Sequence, residues 1–483
     1  MRLLLVALSL ALAAGHGSVN AGCSENTAVT DCTDLACVPV FPVPKKGDKL
    51  TCQKCHTLQK LPDGTEQGDC PNDSLRCNAQ GFCNHKALMP VDNKDIVSFI
   101  LVVFACILAA SGGIGGGGLL VPLFILVSGF AANRASPMSS ATITGGAIAN
   151  YYSYCKRYHP EFDQGKRKPL IDYDTALLIM PALLLGTIFG TIFNKIFPEW
   201  LFLALMFALM IKYSVRTTKK GISKYKAETK QREAEESLLA GGGEPKGGGG
   251  SQFDGEPKPP LFPIRGLVIT AVAWVLTFLI SLFKGKKGTP SAIGVHCGTG
   301  GYWAVTIAGV LLLGGLTLYI RKGVLDEIKE TGQQGDIKWT PKNTLQYPAI
   351  CVICGIMAGL MGIGGGMVVG PLLIELGVVP QVVAATSAYT VLITASSATV
   401  QFCIGGTLQY DYAAVVASIG LVATFFGQWV VDGMIKKYNR ASVIIFAIAL
   451  IMIIATCLLG YTGITQVVNQ AKAGSSFGFR PLC

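Results

Sequence analysis

Apolar stretches alternate with polar loops along nearly the whole chain after residue 95, and most run too long to be core elements of a soluble domain. The pattern predicts helical segments over Ile96–Ser111, Leu119–Phe130, Met138–Tyr154, Thr175–Phe197, Trp200–Val215 and Pro263–Phe283. It continues with Tyr302–Ile320, Leu345–Met361, Met367–Val379, Val382–Ile404, Tyr412–Val431 and Ala441–Tyr461. Spanning a bilayer takes about 20 apolar helical residues. Two adjacent pairs fall short of that and are split by glycine: 96–130 around Gly112 to Gly118, and 345–379 around Gly362 to Gly366. The first 22 residues differ again, with a positive start (Met1-Arg2), an apolar run of about a dozen residues and small residues before Cys23. That is the form of a secretory signal peptide.

The pattern divides the chain into a signal peptide (1–22), a polar module (23–94), a first transmembrane repeat (95–215) and a cytosolic flexible loop (216–262). Connecting transmembrane helices (263–344), a second repeat (345–462) and a tail (463–483) follow. The expected fold is an all-α polytopic membrane protein of two inverted repeats with glycine-broken hairpins, carrying a small disulfide-rich module outside or in the lumen.

Composition agrees. Only 14% of residues are charged and mean hydropathy is +0.48, whereas soluble domains carry about 25% charged residues. The net charge of +11 resides largely in loops, as the positive-inside rule requires, and no nucleic-acid motif accompanies it. The polar module holds Cys23, Cys32, Cys37, Cys52, Cys55, Cys70, Cys77 and Cys83. An even number in a short exported segment reads as a disulfide framework whose connectivity spacing does not fix. Cys52-Gln-Lys-Cys55-His56 also has the form of a haem attachment or zinc half-site, but disulfides account for all eight cysteines. No cofactor is expected. Asn72-Asp-Ser74 is a glycosylation sequon suited to the exported side.

Loop charge then sets the topology. Loops 155–174 and 216–262 and the turn at Lys436, Lys437 and Arg440 are basic, so all three should be cytosolic. With an exported N-terminal module, that parity holds only if each glycine-broken pair goes in and returns. Lys284, Lys286 and Lys287 then stand on the outer side, against the rule.

The two breaks are related. Gly113-Ile-Gly-Gly-Gly117 with Pro122 and Gly362-Ile-Gly-Gly-Gly366 with Pro371 are displaced by the same 249 residues. Each precedes a helix rich in small and hydroxyl residues, Ser136–Thr144 and Ala384–Thr390. Counting crossings, one hairpin opens from outside and the other from the cytosol, so the halves are inverted copies, a recurring transporter design. Irregular backbone at membrane depth survives only where protein or a water-filled cavity satisfies it. A helix restarting after such a break presents its first N–H groups and a positive dipole end, which suits an anion.

Candidate substrate contacts are therefore Gly113, Gly115, Gly116 and Gly117 in the first break, and Gly362, Gly364, Gly365 and Gly366 in the second. Thr386, Thr390, Thr394, Ser397 and Gln401 follow at helical spacing on the second polar helix, and Thr142 and Asn150 on the first. Membrane Ser and Thr also commonly bond their own i−4 carbonyls, which is the competing account. Glu375 is a candidate coupling site, or an interfacial residue ending a short segment. Asp172 and Asp174 sit at a helix start, where capping suffices to explain them. Cys351-Val-Ile-Cys354 reads as packing. No Lys or Arg lies mid-segment in these helices; Lys195 and Lys212 are near ends.

Over about residues 95 to 462 the chain resembles the sulfite exporter TauE/SafE family, in its eukaryotic, plant-like branch. The resemblance is carried by Gly112-Gly-Ile-Gly-Gly-Gly-Gly-Leu-Leu-Val-Pro122, Tyr158-His-Pro-Glu-Phe, Ile171-Asp-Tyr-Asp174, Gly362-Ile-Gly-Gly-Gly-Met-Val-Val-Gly-Pro371 and Ala385-Thr-Ser387. It implies a permease, not an enzyme, for sulfite, organosulfonates or related oxyanions, with contacts at the two glycine runs, Thr386 and Ser387. Its expected partners are a small anion and the bilayer. The alternatives are a transporter of another solute or cation, or a receptor or assembly protein acting through the cysteine-rich module.

Overall fold

The computed structural model describes residues 57–60, 66–68, 75–77 and 83–85, and most of 88–438. It leaves out 90, 111–115, 131, 160–167, 241–262, 285–290, 292, 332–336, 338 and 377, and describes scattered residues from 446 onward. The signal peptide, Asn72 and Cys23, Cys32, Cys37, Cys52, Cys55 and Cys70 lie outside the described residues, as does most of the apolar segment 441–461.

The polar module contributes short strands, an addition to the expected all-α architecture. β1 (Thr57–Lys60) pairs antiparallel with β2 (Glu66–Gly68), and β3 (Leu75–Cys77) with β4 (Cys83–His85). The second register sets Cys77 directly opposite Cys83.

Helices follow. The first half comprises α1 (Asn93–Ala110), α2 (Gly117–Leu126), α3 (Ala132–Tyr154), α4 (Tyr173–Ile196) and α5 (Glu199–Ala240). α6 (Ile264–Phe283) and α7 (Gly300–Thr331) connect it to α8 (Asn343–Met361), α9 (Gly366–Glu375), α10 (Pro380–Ile404) and α11 (Tyr410–Tyr438). Among the described residues, eight helices are long and apolar enough to cross a membrane. The chain is an integral membrane protein. The sequence pattern underestimated two of these helices: α1, at 18 residues, and α8, at 19, are each long enough to span. The missing length comes from polar starts, Asn93-Lys-Asp95 and Asn343-Thr344, which an apolar window trims. Among the described helices, α2 and α9, at ten residues each, are the short ones.

Local chemistry sets the ends. The Asp172 carboxylate accepts from the Thr175 N–H at 3.0 Å and caps α4, as expected of a helix-start acid. Pro380 opens α10 at the first turn, where its missing N–H costs nothing. Asp95 in the first turn of α1 is buried; it accepts from the Asp92 N–H at 3.0 Å and from the Tyr412 hydroxyl at 3.1 Å. That bond pins the start of α1 to the start of α11.

Burial separates centre from periphery. In α10 94% of the apolar window is buried and in α4 83%, against 28% in α6 and α7, so α4 and α10 form the axis and α6 and α7 face lipid. The packing is reciprocal: α4 lies along α8, α11 lies along α1 and α3, and α3 along α10. Glycine makes these contacts close. A Cβ on Gly186 or Gly190 would strike the carbonyls of Val352 and Ile356, and one on Gly355 the carbonyl of Leu183. This is small-residue packing of membrane helices, which lets backbones touch and recovers dispersion energy where no hydrophobic drive acts between helices.

Candidate functional site

The two glycine breaks meet. Gly117, first residue of α2, is seated against the backbone of Ile363 in the second break, leaving no room for a Cβ. Gly362 is seated equally closely against the Ser136 carbonyl at the start of α3. Gly116, Gly362 and Gly364 hold φ of 67°, 62° and 70°, a left-handed conformation costing other L-residues about 1–2 kcal/mol. Glycine is thus required twice over, for backbone shape and for contact. Gly113 and Gly115 lie outside the described residues, and Glu375 is the last residue of α9.

Helix breaks leave carbonyls without intrahelical donors. The Gln428 amide of α11 donates to the Ala110 carbonyl at the end of α1, 2.7 Å away. The Asn194 amide of α4 donates to the Leu360 carbonyl near the end of α8, also at 2.7 Å. In each case a helix of one half completes a broken helix of the other. Ser139 adds a bond to the Gly362 carbonyl at 2.7 Å, and Ser136 a longer one to Leu360 at 3.3 Å. Sequence reasoning passed over Asn194 and Gln428; the available signal was an amide inside an apolar helix, which is costly toward lipid.

The same test sorts the predicted hydroxyls and amides. An oxyanion accepts hydrogen bonds and so requires donors. Thr142 donates to the Met138 carbonyl, Thr390 to Ser387 and Thr394 to Thr390, at 2.8–2.9 Å. Thr394 also accepts the Gly365 N–H at 3.2 Å. Asn150 accepts from Gln428 at 2.8 Å. Gln401 accepts from Thr191 at 2.9 Å and donates to Thr187 and Ser397 at 3.0 and 3.1 Å. Thr142 and Thr390 thus bond within their own helices, whereas Asn150 ties α3 to α11, Gln401 ties α10 to α4, and Thr394 ties α10 to the second break.

Two hydroxyls differ. Thr386 accepts the Asp172 N–H at 3.0 Å, leaving its own proton to give. Ser387, 1% exposed, has no hydrogen-bond partner for its Oγ, and it faces Gly370 of α9, whose Cβ would stand 3.3 Å away. A buried hydroxyl without a partner is rare. Ser387 is thus a buried donor left with a proton to give, set beside α9 more than one turn from that helix's first N–H groups. Among the described residues no group of three or more His, Cys, Asp or Glu could hold a metal.

The family profile described as sulfite exporter TauE/SafE matches residues 97–243 and 291–457. The chain belongs to this family. The TauE/SafE match brackets both glycine breaks and omits the cysteine-rich module. Among curated relatives from Arabidopsis thaliana, sulfite exporter TauE/SafE family protein 1 is 32% identical over 412 residues, covering 82% of this chain and 90% of its own. Family protein 5 is 31% identical over 416 residues, with 82% and 89% covered. Family protein 2 is 29% identical over 418 residues, with 81% and 88% covered. No solved structure matches the chain.

Proposed function

We propose that this TauE/SafE member exports a small sulfur oxyanion, sulfite or an organosulfonate, by alternating access between two inverted halves. The observations that carry the reading are the meeting of the two glycine turns, Gly117 on Ile363, and, against Gly370 of α9, a buried Ser387 hydroxyl with no partner. Backbone N–H groups, Thr386 and Ser387 would hold the anion there without ion pairing. A weak site of that kind releases what it binds.

Inversion is supported by the reciprocal packing of α4 on α8 and α11 on α1. Sidedness is supported by which ends touch. Ends assigned to the outside are neighbours: Asp95 bonds Tyr412, and Lys195 lies beside Gly405. The ends assigned to the cytosol meet where the Asp172 N–H reaches Thr386. Cys297, on the loop counted as external, is disulfide-bonded, and disulfides persist in oxidising compartments. Its sulfur lies 3.8 Å from the Leu482 carbonyl, consistent with an external C-terminal tail.

An anion leaving a negative cell interior gains about 2.3 kcal/mol per charge per 100 mV, so uniport suffices at a plasma membrane. Purified protein in liposomes should carry sulfite at a rate set by the imposed potential. Electroneutral flux would overturn the uniport, and absence of sulfite and sulfonate flux would overturn the substrate class.

A further inference from the structure

α5 continues well past its apolar run. That run ends near Val215, yet the helix goes on to Ala240, about 37 Å further at 1.5 Å per residue. Over residues 212–232 it carries eight Lys and Arg against one acid, Glu228; acids return only at Glu233, Glu235 and Glu236. The positive-inside rule accounts for basic residues at this end, but not for how they are arranged.

Helical spacing puts Lys212, Arg216, Lys219, Lys226 and Lys230 in one stripe, about 80° wide at 3.6 residues per turn. Ser214, Gly221, Tyr225 and Glu228 fall on the opposite face. That opposite face is the packed one. Gly221 is buried, the Ser214 hydroxyl lies 3.4 Å from that of Thr456, and the Tyr225 ring centre stands 6.3 Å from that of Phe446. Lys212, Lys219, Lys226 and Lys230 are exposed. The stripe therefore looks away from the bundle, and Glu228 is kept off it.

Position along the helix selects the partner. Lys212 belongs to the apolar run, and Lys219 follows about 10 Å later, so this part of the stripe crosses a headgroup layer about 5–8 Å thick. A soluble acidic protein would not engage a lysine at that depth. Lys226 stands about 10 Å beyond Lys219, where a phosphate carried on an inositol ring reaches better than one held at the glycerol. We propose that the outward stripe of α5 docks an anionic lipid with a polyphosphorylated inositol headgroup. Basic clusters just past a membrane helix attract such lipids, by roughly fivefold in affinity for each Lys or Arg near the surface. Assignment to the cytosolic leaflet rests on the sidedness proposed above; the lipid preference does not.

The test uses the full chain in neutral detergent micelles at about 0.15 M salt. Dioctanoyl phosphatidylinositol bisphosphate is the probe, and native mass spectrometry reads the bound fraction. Two triple variants remove equal charge: Lys212→Gln, Lys219→Gln and Lys226→Gln on the stripe, and Lys220→Gln, Lys224→Gln and Arg232→Gln off it. The stripe triple should weaken binding about a hundredfold and the other by less than about tenfold. Equal losses would leave only a general charge effect and overturn the stripe. Wild-type protein that binds the probe no better than dioctanoyl phosphatidylcholine overturns the proposal outright. So does equally tight binding of free inositol trisphosphate, which assigns the stripe to a soluble phosphate, or of a polyglutamate peptide, which assigns it to an acidic protein.

Discussion

The contact between the glycine turns permits a sharp comparison of two single-methyl substitutions. At Gly117 the added Cβ would enter the backbone of Ile363, atoms that cannot rotate away. Overpacking costs roughly 1–3 kcal/mol, occasionally more, and a clash with backbone belongs at or beyond the upper end. At Gly364 the nearest atoms are side-chain methyls of Ile143 and Val391 at 3.4 Å, an ordinary contact, and the penalty comes from φ 70°. That conformation costs about 1–2 kcal/mol. Gly117→Ala should therefore be the more damaging by about 1–2 kcal/mol, roughly a factor of ten in the folded population. Heating in detergent with size-exclusion readout reports stability, and sulfite flux per folded molecule reports the site. Gly117→Ala should melt well below Gly364→Ala and lose flux even when correctly folded, because the turns are forced apart. Equal melting and wild-type flux in Gly117→Ala would refute the contact.

Ser387→Ala should leave thermal stability unchanged or raised, since a buried hydroxyl without a partner is removed, while the KM for sulfite rises about tenfold through loss of a donor to a charged ligand. Gln428→Leu should cost about 1–3 kcal/mol in thermal unfolding by orphaning the Ala110 carbonyl; Asn194→Leu should cost less, because Ser136 still reaches Leu360. Equal losses from the two variants would contradict the asymmetry in their partners.

Much of the membrane architecture was legible because it depends on local pattern. Paired glycine runs, matched prolines and basic loops are sequence-near features, and Asp172 caps α4 as its neighbours suggest. The ends of α1 and α8 were misjudged because their polar starts look like loop until Asp95 finds Tyr412 across 317 residues. The polar helices were harder still. Thr, Ser, Asn and Gln in an apolar segment announce that they need partners, but do not say whether the partner is a substrate or another helix. Asn150 and Gln401 have helix partners and Ser387 has none, a distinction set by neighbours more than 200 residues away.

The exchange of amide caps bears on how the protein is made. Translation delivers α1 long before Gln428, the residue that completes its open end, is synthesised 318 positions later. Throughout that interval the nascent first half holds an unfinished helix end, to be shielded by lipid headgroups, the insertion machinery or a chaperone. A chain terminated before α11 never closes it, so truncated products should carry a built-in mark for membrane quality control. Dividing the gene between the halves should yield two unstable fragments that become stable only when produced together.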